Sequence, residues 1–199
     1  MKTLCRTTAL AALAALALTG CGSEGEKTST EAVTTAAATP AGPRVGAAGS
    51  GCELPVSFSL AADWKPKKVT VTDEELLAAL TKKGPFTMAC EVDAKPAGNL
   101  GFIRIWTGEQ AELRPSLEAF IGADAQQAKF TELQVGGKPA LEVEYQFKSQ
   151  LDGSLEQERA FVLDSGKGLV AVTLDSVDSD EHKEMLPAYE LARTSLTVN

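Results

Sequence analysis

Apolar and polar positions alternate most strictly in the second half of the chain. Apolar side chains occupy every second position from Leu141 to Phe147, and the positions between them, from Glu142 to Lys148, carry charged or amide side chains. This period of two predicts a strand of an antiparallel sheet, with one face packed and the other in water.

Two turn signals follow this strand and predict a meander. Asp152-Gly153 and Ser165-Gly166-Lys167-Gly168 are segments that favour tight turns. They separate two further strands, Leu155 to Leu163 and Leu169 to Leu174. Parts of both strands are apolar on both faces, so we expect this region of the sheet to be central or covered twice.

The first half of the chain predicts three more strands. Val56 to Leu60 alternates and indicates a half-buried strand that leads to Trp64. Phe86 to Val92 and Leu100 to Trp106 are the other two, with Pro96-Ala97-Gly98-Asn99 between them.

Three segments predict helices. Thr72-Asp73-Glu74-Glu75 is a capping box, and the helix that follows is expected to bury Leu76, Leu77 and Leu80 and to stop at Gly84-Pro85. A second helix is predicted by apolar residues at helical spacing, with Pro115 in its first turn: Leu113, Leu117, Phe120 and Ile121.

The third helix closes the chain. Asp178 or Ser179 is its expected cap, Pro187 should kink it or start its second part, and one stripe holds Met185, Tyr189, Ala192 and Leu196. The predicted fold class is therefore α+β, an antiparallel β-sheet with packed helices.

The N-terminus has the pattern of an export signal. Lys2 and Arg6 precede an apolar run from Ala9 to Leu18 that is too short to span a bilayer. Leu18-Thr19-Gly20-Cys21 resembles the lipobox of bacterial lipoproteins, and this resemblance implies cleavage after residue 20 and acylation of Cys21. Residues 1–20 are thus predicted to be a lipoprotein signal peptide.

Residues 21–51 are predicted to be the lipidated Cys and a disordered tether. Val33 and Val45 are the only larger apolar residues of this stretch, and it contains no aromatic residue. Such a segment buries too little surface to offset its ordering entropy. As a flexible coil it would span roughly 30 Å, and the folded domain would occupy residues 52–199.

Charge narrows the range of partners. The full chain carries −8, and loss of Lys2 and Arg6 with the signal makes the mature chain −10. Nucleic acid is excluded as a partner because its phosphates demand basic surface. The bulk charge does not favour an anionic membrane either, so the lipid is expected to supply attachment. Lys65, Lys67 and Lys68 are predicted to be a solvated surface cluster.

Export leaves one cysteine pair. Cys5 departs with the signal and Cys21 takes the lipid, so Cys52 and Cys90 remain in an oxidising compartment. We predict a disulfide between them; two buried free thiols are the alternative, and a metal site is disfavoured because no Cys-x-x-Cys pair occurs.

The order of elements resembles that of PsbP-like domains. Phe58-Ser59-Leu60-Ala61-Ala62-Asp63-Trp64 is similar to their strand-then-Trp opening, although Ala62 stands where a Pro-Gly turn is usual. The three late strands and terminal helix are similar to the back half of that fold. With the lipobox and tether, the chain resembles the LpqN/LpqT type of lipoprotein. The resemblance implies a non-enzymatic envelope protein that binds a partner or an amphiphile, and it supplies no catalytic residues.

Three motifs resemble a catalytic base, a phosphate-binding loop and a calcium site, but in each case a structural role is the favoured interpretation. His182, the single histidine, is expected to face solvent in the first turn of a helix rather than act as a base. Gly136-Gly137-Lys138 lacks phosphate-loop spacing and predicts a β-turn. An acidic group near the last helix lacks calcium-loop spacing and suits a helix N-terminus instead: Asp175, Asp178, Asp180 and Glu181.

A ligand cleft, if the fold has one, is expected where a sheet and helices leave an aromatic-lined gap. The residues that could line it, with core packing as the alternative, are Trp64, Phe102, Trp106, Tyr145 and Tyr189.

The predicted function is a lipoprotein anchored on the extracytoplasmic face of the cell membrane. It is expected to bind another envelope component, protein or lipid-like, without catalysis, metal or cofactor; regulation of envelope signalling falls within this class. The alternative is a cell-wall hydrolase or transferase that uses acidic residues. It predicts a polar cleft holding a carboxylate with a raised pKa.

Overall fold

The computed structural model describes residues 41–70, 80–149 and 152–199. The signal peptide, Cys21, the tether up to residue 40 and most of the helix predicted from Thr72 lie outside the described residues, so these remain predictions.

The described residues form eleven strands and two α-helices, with a 3₁₀ turn at Lys95–Ala97. The helices are α1 (Leu113–Ile121) and α2 (Ser179–Ser195). The strands are β1 (Ala41–Val45), β2 (Val56–Ala61), β3 (Lys65–Lys68), β4 (Lys82–Lys83), β5 (Phe86–Asp93), β6 (Phe102–Gly108), β7 (Gln126–Val135), β8 (Lys138–Lys148), β9 (Leu155–Asp164), β10 (Leu169–Asp175) and β11 (Thr197–Val198).

A large antiparallel sheet organises the domain. Its strand order within the described residues is β3-β5-β6-β10-β9-β8-β7, and β4 also pairs with β5. One face of the large sheet is covered by α2 and by a small sheet of order β1-β2-β11. The other face is covered by α1. The result is a sheet-dominated α+β fold, in agreement with the predicted class.

β10 lies at the centre of the large sheet and is covered on both faces. Val170 and Val172 pack with α2 and the small sheet, whereas Leu169 and Ala171 pack with Trp106 on the α1 face. The apolar runs on both faces of β9 and β10 predicted this double cover, and the structure confirms it.

α2 is capped as the sequence indicates. The Asp178 carboxylate accepts from the backbone N–H groups of Asp180 at 2.9 Å and Glu181 at 2.8 Å. Met185 and Tyr189 are buried against the sheet. The helix is continuous from Ser179 to Ser195 with Pro187 inside it, so Pro187 does not start a second part, and the alternative of a kink at this residue stays a prediction.

The folded domain begins before Cys52, so part of the predicted tether is structured. β1 pairs antiparallel with β2, and Val45 is completely buried. The Arg44 guanidinium donates to the Ser57 carbonyl and to Thr197 Oγ1, both at 2.9 Å. The composition of this segment is poor in apolar residues, but a strand that joins an existing sheet needs only backbone bonds and one core side chain.

The exposure predicted for Ser57, Glu142 and Leu80 is wrong. Ser57 is buried, so β2 is covered on both faces rather than half-buried. Glu142 is buried on the face of β8 that the alternation assigned to water, because α2 covers this part of the sheet. Leu80 is 66% exposed instead of buried.

The two edge strands of the large sheet, β3 and β7, have features that disfavour pairing with other chains. β3 is an edge strand of three lysines and Pro66. β7, the other edge, is largely exposed, and its register shifts between Gln126 and Lys129 beside Gln127 at φ 52°. Lysine, proline and bulges all discourage edge-to-edge association. The sequence interpretation missed β7 because its polar surface gives no alternation.

The turn at Gly136-Gly137 is the predicted β-turn and joins β7 to β8. Both glycines have positive φ, 59° and 75°, as tight hairpin turns require. The Cys52–Cys90 disulfide is also confirmed: both residues are buried, and their Cα atoms lie 6.0 Å apart. It ties the loop that precedes β2 to β5, and so links the small sheet to the large one.

Candidate functional site

The five aromatic residues predicted to line a cleft fall on opposite faces of the large sheet. Trp64 and Tyr189 are buried in the core between the sheet, α2 and β2. Trp106 and Tyr145 belong to the core on the α1 face, and Phe102 lies on this face because it shares strand parity with Trp106. No single cleft can therefore contain all five.

A groove on the α1 face collects the residues that could hold a ligand. We call it the Trp106 groove; its volume is about 670 Å³. β3 and β4 both pair with β5, and this pairing brings Lys67 and Lys83 to the same groove as Trp106 of β6. The described lining residues are Lys67, Lys68, Val69, Thr70, Leu80, Thr81, Lys83, Met88, Glu91, Arg104 and Trp106.

The floor of the groove is apolar and held rigidly. The Trp106 ring packs edge-to-face on Phe120 of α1, with centroids 5.3 Å apart. Lys83 Nζ lies 5.7 Å from the Trp106 centroid and 5.2 Å from that of Phe120, within the range of a cation–π interaction. An ammonium group thus stands directly beside an aromatic surface.

A polar network runs from the groove into the sheet. Arg104 donates from Nε to Glu91 at 2.8 Å and from Nη1 to Asp175 Oδ2 at 3.0 Å. Thr173 donates to the same Asp175 oxygen at 2.9 Å and accepts from Trp106 Nε1 at 3.4 Å. Burial lowers the pKa of Arg104, but the attraction of Asp175 and Glu91 outweighs it and raises that pKa overall.

Glu158 of β9 is half-buried and lies beside Asp175, at the end of this network. Burial, and next the negative charge of Asp175, raise its pKa well above the usual value for a glutamate. Its Oε2 is buried without a hydrogen-bond partner in the described structure. A raised pKa favours the neutral form of this carboxyl group, because the neutral form avoids placing a second negative charge beside Asp175. Tyr145 lies opposite Glu158 on β8, and burial raises its pKa too.

Comparison with protein-family profiles shows the family of this chain. Residues 22–196 match the profile of a family, Lipoprotein_23, described as an uncharacterised lipoprotein. The chain belongs to this lipoprotein family. No curated protein matches the sequence at a significant level.

The fold of the lipoprotein is similar to that of a solved PsbP structure. The solution structure of cyanobacterial PsbP (CyanoP) from Synechocystis sp. PCC 6803 superposes with a TM-score of 0.52 at 13% identity, and the match covers 79% of this chain and 92% of that one. At this identity the likeness shows the fold alone, and it confirms the predicted PsbP-like domain. The LpqN/LpqT assignment stays a prediction.

Family membership agrees with the lipobox at Cys21, which lies outside the described residues. It indicates a lipid-anchored, membrane-associated protein. Within the described residues, no helix of the lipoprotein has the length and apolar character needed to span a membrane.

The prediction that His182 faces solvent is wrong. Its ring is buried where α2 meets the sheet, with Nδ1 3.5 Å from Ser176 Oγ. Burial and then the positive charge of Arg159 lower its pKa. The sequence placed His182 among charged neighbours on the helix, but only packing determines which side of the helix meets the sheet.

Arg159 and the buried Glu142 form the centre of a second charged network, beneath α2. Arg159 Nη2 lies 2.9 Å from Glu142 Oε2 and Nη1 lies 3.2 Å from Glu190, and Tyr189 donates to Glu142 Oε1 at 3.1 Å. Burial and then Glu142 raise the pKa of Tyr189. These groups neutralise one another, and their arrangement serves to dock the helix on β8 and β9.

The four acids considered as a calcium site have separate partners. Asp175 binds Arg104, Asp178 caps α2, and Asp180 pairs with Lys183 at 2.8 Å. Glu181 accepts from the backbone N–H groups of Leu100, Gly101 and Val177. Among the residues that the structure describes, no three metal-ligating side chains converge.

A second groove, of about 560 Å³, lies between the start of α1 and the β7–β8 hairpin. Its charged lining residues, Glu112, Arg114 and Glu132, are of mixed sign, and Arg114 is already paired with Glu118 at 3.1 Å. The Trp106 groove differs because an apolar floor and several cations meet there, so it is the better candidate for a ligand site.

Proposed function

We propose that this lipoprotein binds an anionic amphiphile of the cell envelope in the Trp106 groove, without catalysing a reaction. The observation that carries the proposal is the juxtaposition of an apolar floor and a cationic rim in one groove. Ligand sites are usually concave and mostly apolar, with a few polar groups that fix orientation.

The two parts of the groove suit the two parts of an amphiphile. Leu80, which is exposed, and Val69, which is half-buried, offer apolar surface to an acyl chain, and Lys67 and Lys83 offer ammonium groups to an anionic head group. Arg104 is already engaged by Glu91 and Asp175, so the lysines are the cations available to a ligand.

The predicted lipid anchor would place this binding domain at the membrane. Acylation of Cys21 would hold the domain at the extracytoplasmic face of the membrane, where a tethered module works at high local concentration. Replacing Cys21 with Ser is expected to abolish function while the domain still folds. Full complementation by the released domain at native expression would contradict this part of the proposal.

Native mass spectrometry of the protein purified from its host tests the ligand directly. The expected result is an adduct with the mass of an amphiphile. Titration with a fluorescent long-chain carboxylate should then show several-fold weaker binding for Lys83→Ala and for Val69→Trp, which fills the groove. Lys129→Ala on the opposite edge strand is the matched control and should bind like wild type.

Absence of both an adduct and carboxylate binding would overturn the amphiphile proposal. Crosslinking on intact cells would then be the test of the other binding partner, an envelope protein.

A cell-wall hydrolase or transferase is the second candidate, because one specific observation favours it. Glu158 has a raised pKa beside Asp175, close to a groove with polar walls, and a carboxyl group held neutral can serve as a general acid. The test is release of soluble fragments from purified cell wall. Activity in wild type that Glu158→Gln removes would support this candidate, and no release by wild type would eliminate it.

A further inference from the structure

Five lysines that are far apart in the sequence come together along one side of β5. Lys65, Lys67 and Lys68 belong to β3, which pairs with the second half of β5, from Cys90 to Asp93. Lys82 and Lys83 form β4, which pairs with Phe86 and Thr87 at its beginning. Alternation along the strands directs Lys65, Lys67 and Lys83 to the α1 face and Lys68 and Lys82 to the opposite face, so both faces of this edge carry lysines. We call these five residues the lysine edge.

The lysine edge is exposed, and the Lys83 ammonium group also lies beside the Trp106 and Phe120 rings. All five residues are exposed, and within the described ranges none forms an ion pair. Glu91, opposite Lys67, is engaged by Arg104. Asp93, opposite Lys65, accepts from the backbone N–H of Lys95 at 2.8 Å. The nearest acids on β5 thus already have other partners.

This edge is an exception on an acidic protein. The full chain carries −8, and it would carry −10 without its signal. The opposite edge strand, β7, mixes Lys129 with Glu132. A local cluster of one sign on a surface of the other sign indicates a specific anionic partner rather than general solubility.

An exposed apolar side chain adjoins the lysines. Leu80 is 66% exposed and comes just before Thr81, Lys82 and Lys83. An apolar side chain flanked by lysines suits the boundary between lipid head groups and acyl chains, where it enters the bilayer while the ammonium groups meet phosphates.

We propose that the lysine edge docks on an anionic bilayer, with Leu80 at the lipid interface. Membership of a lipoprotein family supplies the membrane on which this edge would dock. A lipid chain combined with a basic patch anchors more firmly than either alone.

Docking would also orient the domain. Lys67, Lys68 and Lys83 lie both on the lysine edge and in the lining of the Trp106 groove, so docking turns that groove toward the membrane. The surface contact does not depend on whether the groove binds an amphiphile, because Lys65 and Lys82 are not among the lining residues.

Vesicle cosedimentation of the mature Cys21→Ser chain tests this surface without the lipid. The expected result is binding to vesicles of phosphatidylglycerol and phosphatidylcholine that is lost on phosphatidylcholine alone and weakened by added salt. The double variant Lys65→Glu/Lys82→Glu should reduce partitioning at least tenfold, and Leu80→Ser should reduce it several-fold.

The matched control is Lys129→Glu/Lys138→Glu, which makes the same change of charge at the other end of the sheet and should partition like wild type. Equal binding to neutral and anionic vesicles, or an equal loss in the control, would overturn the proposal. Lys65→Glu/Lys82→Glu should still bind the fluorescent carboxylate, whereas Val69→Trp should lose that ligand and keep vesicle binding, so the two proposals can fail separately.

A second measurement reports orientation in the lipidated protein. A fluorophore placed by Lys82→Cys should be quenched by spin-labelled lipid in anionic vesicles, and one placed by Lys129→Cys should not. Equal quenching at both positions would contradict docking through the lysine edge.

Discussion

Arg104 on β6 donates to Asp175 on β10 across 3.0 Å, and this ion pair joins the wall of the Trp106 groove to the interior of the sheet. The same carboxylate accepts from Thr173, which in turn accepts from the Trp106 indole. These contacts connect Arg104 and Trp106 of the groove to one carboxylate, that of Asp175.

Arg104→Ala should destabilise the protein by about 2 kcal/mol, because it leaves Asp175 and Glu91 partly buried without their cation. Arg114→Ala is the matched control, since it breaks a pair whose side chains are 54% and 52% exposed. We expect it to cost about 0.5 kcal/mol or less. Urea unfolding measures both, and equal losses would show that the Arg104 network adds no stability.

Glu158→Gln should change how stability depends on pH. The folded pKa of Glu158 lies above the ordinary value of 4.5, so the folded state holds a proton that the unfolded state releases. The stabilising contribution is complete below pH 4.5 and is lost as the pH rises through the folded pKa. Relative to Glu158→Gln, wild type should therefore weaken from pH 4.5 upward; a constant difference would contradict the raised pKa. Glu132→Gln, at an exposed position, gives the background.

His182→Gln tests a group whose pKa is lowered, rather than raised, in the folded state. Burial lowers the pKa of His182 below the ordinary 6.5, so the unfolded state binds the proton first as the pH falls. The contribution of the neutral ring is complete above pH 6.5 and is lost as the pH falls toward the folded pKa. Wild type should lose stability relative to the variant in this window, measured by thermal unfolding. The chain has one histidine, so a parallel pH profile in the two proteins would contradict the burial of this ring.

Reduction of Cys52–Cys90 should lower the free energy of unfolding by about 4 kcal/mol in the loop-closure account for a separation of 38 residues. Urea unfolding of the mature Cys21→Ser chain with and without reductant measures this. The same chain with both cysteines replaced by Ala should not respond to the reductant. A response in that control would mean that the reductant acts elsewhere.

Gly168→Ala should cost more than Gly166→Ala, although both glycines lie in the β9–β10 turn with positive φ. A Cβ at Gly168 would lie 2.4 Å from the Gly108 carbonyl oxygen, whereas a Cβ at Gly166 meets nothing within 4 Å. We expect about 1 kcal/mol of backbone strain at Gly166 and about 2 kcal/mol more at Gly168 from overpacking. Equal melting temperatures for the two variants would remove the packing explanation.

Local features of this chain could be predicted because they depend on residues close in sequence. The period-two pattern from Leu141 and the apolar runs around Phe161 and Val170 located three strands, and the acid at Asp178 located a helix cap. β7 escaped prediction because an exposed edge strand needs no apolar periodicity. β1 was not predicted because pairing with β2, and not its own composition, stabilises it.

The candidate site was harder to predict because it depends on strand order. Trp106 was named from the sequence, but Arg104 and Glu158 were not, since 27 acidic residues offer many pairs and nothing in their spacing selects one. Only the register of β6, β10 and β9 puts Arg104, Asp175 and Glu158 together. The alternation of side chains along β6 could have predicted one part of the site, because Phe102, Arg104 and Trp106 are two residues apart and must lie on the same face of the strand.

The sequence by itself determined the α+β class, the predicted lipid anchor, the cysteine pair and the faces of the strongest strands, because covalent order and side-chain period are local properties. The tertiary structure decided what covers each face. It buried Glu142 under α2 and the His182 ring of α2 against the sheet, divided the aromatic residues between two cores, and gathered five lysines beside β5. These outcomes depend on pairing between distant segments, which the free energy of the whole fold selects and no short stretch of sequence encodes.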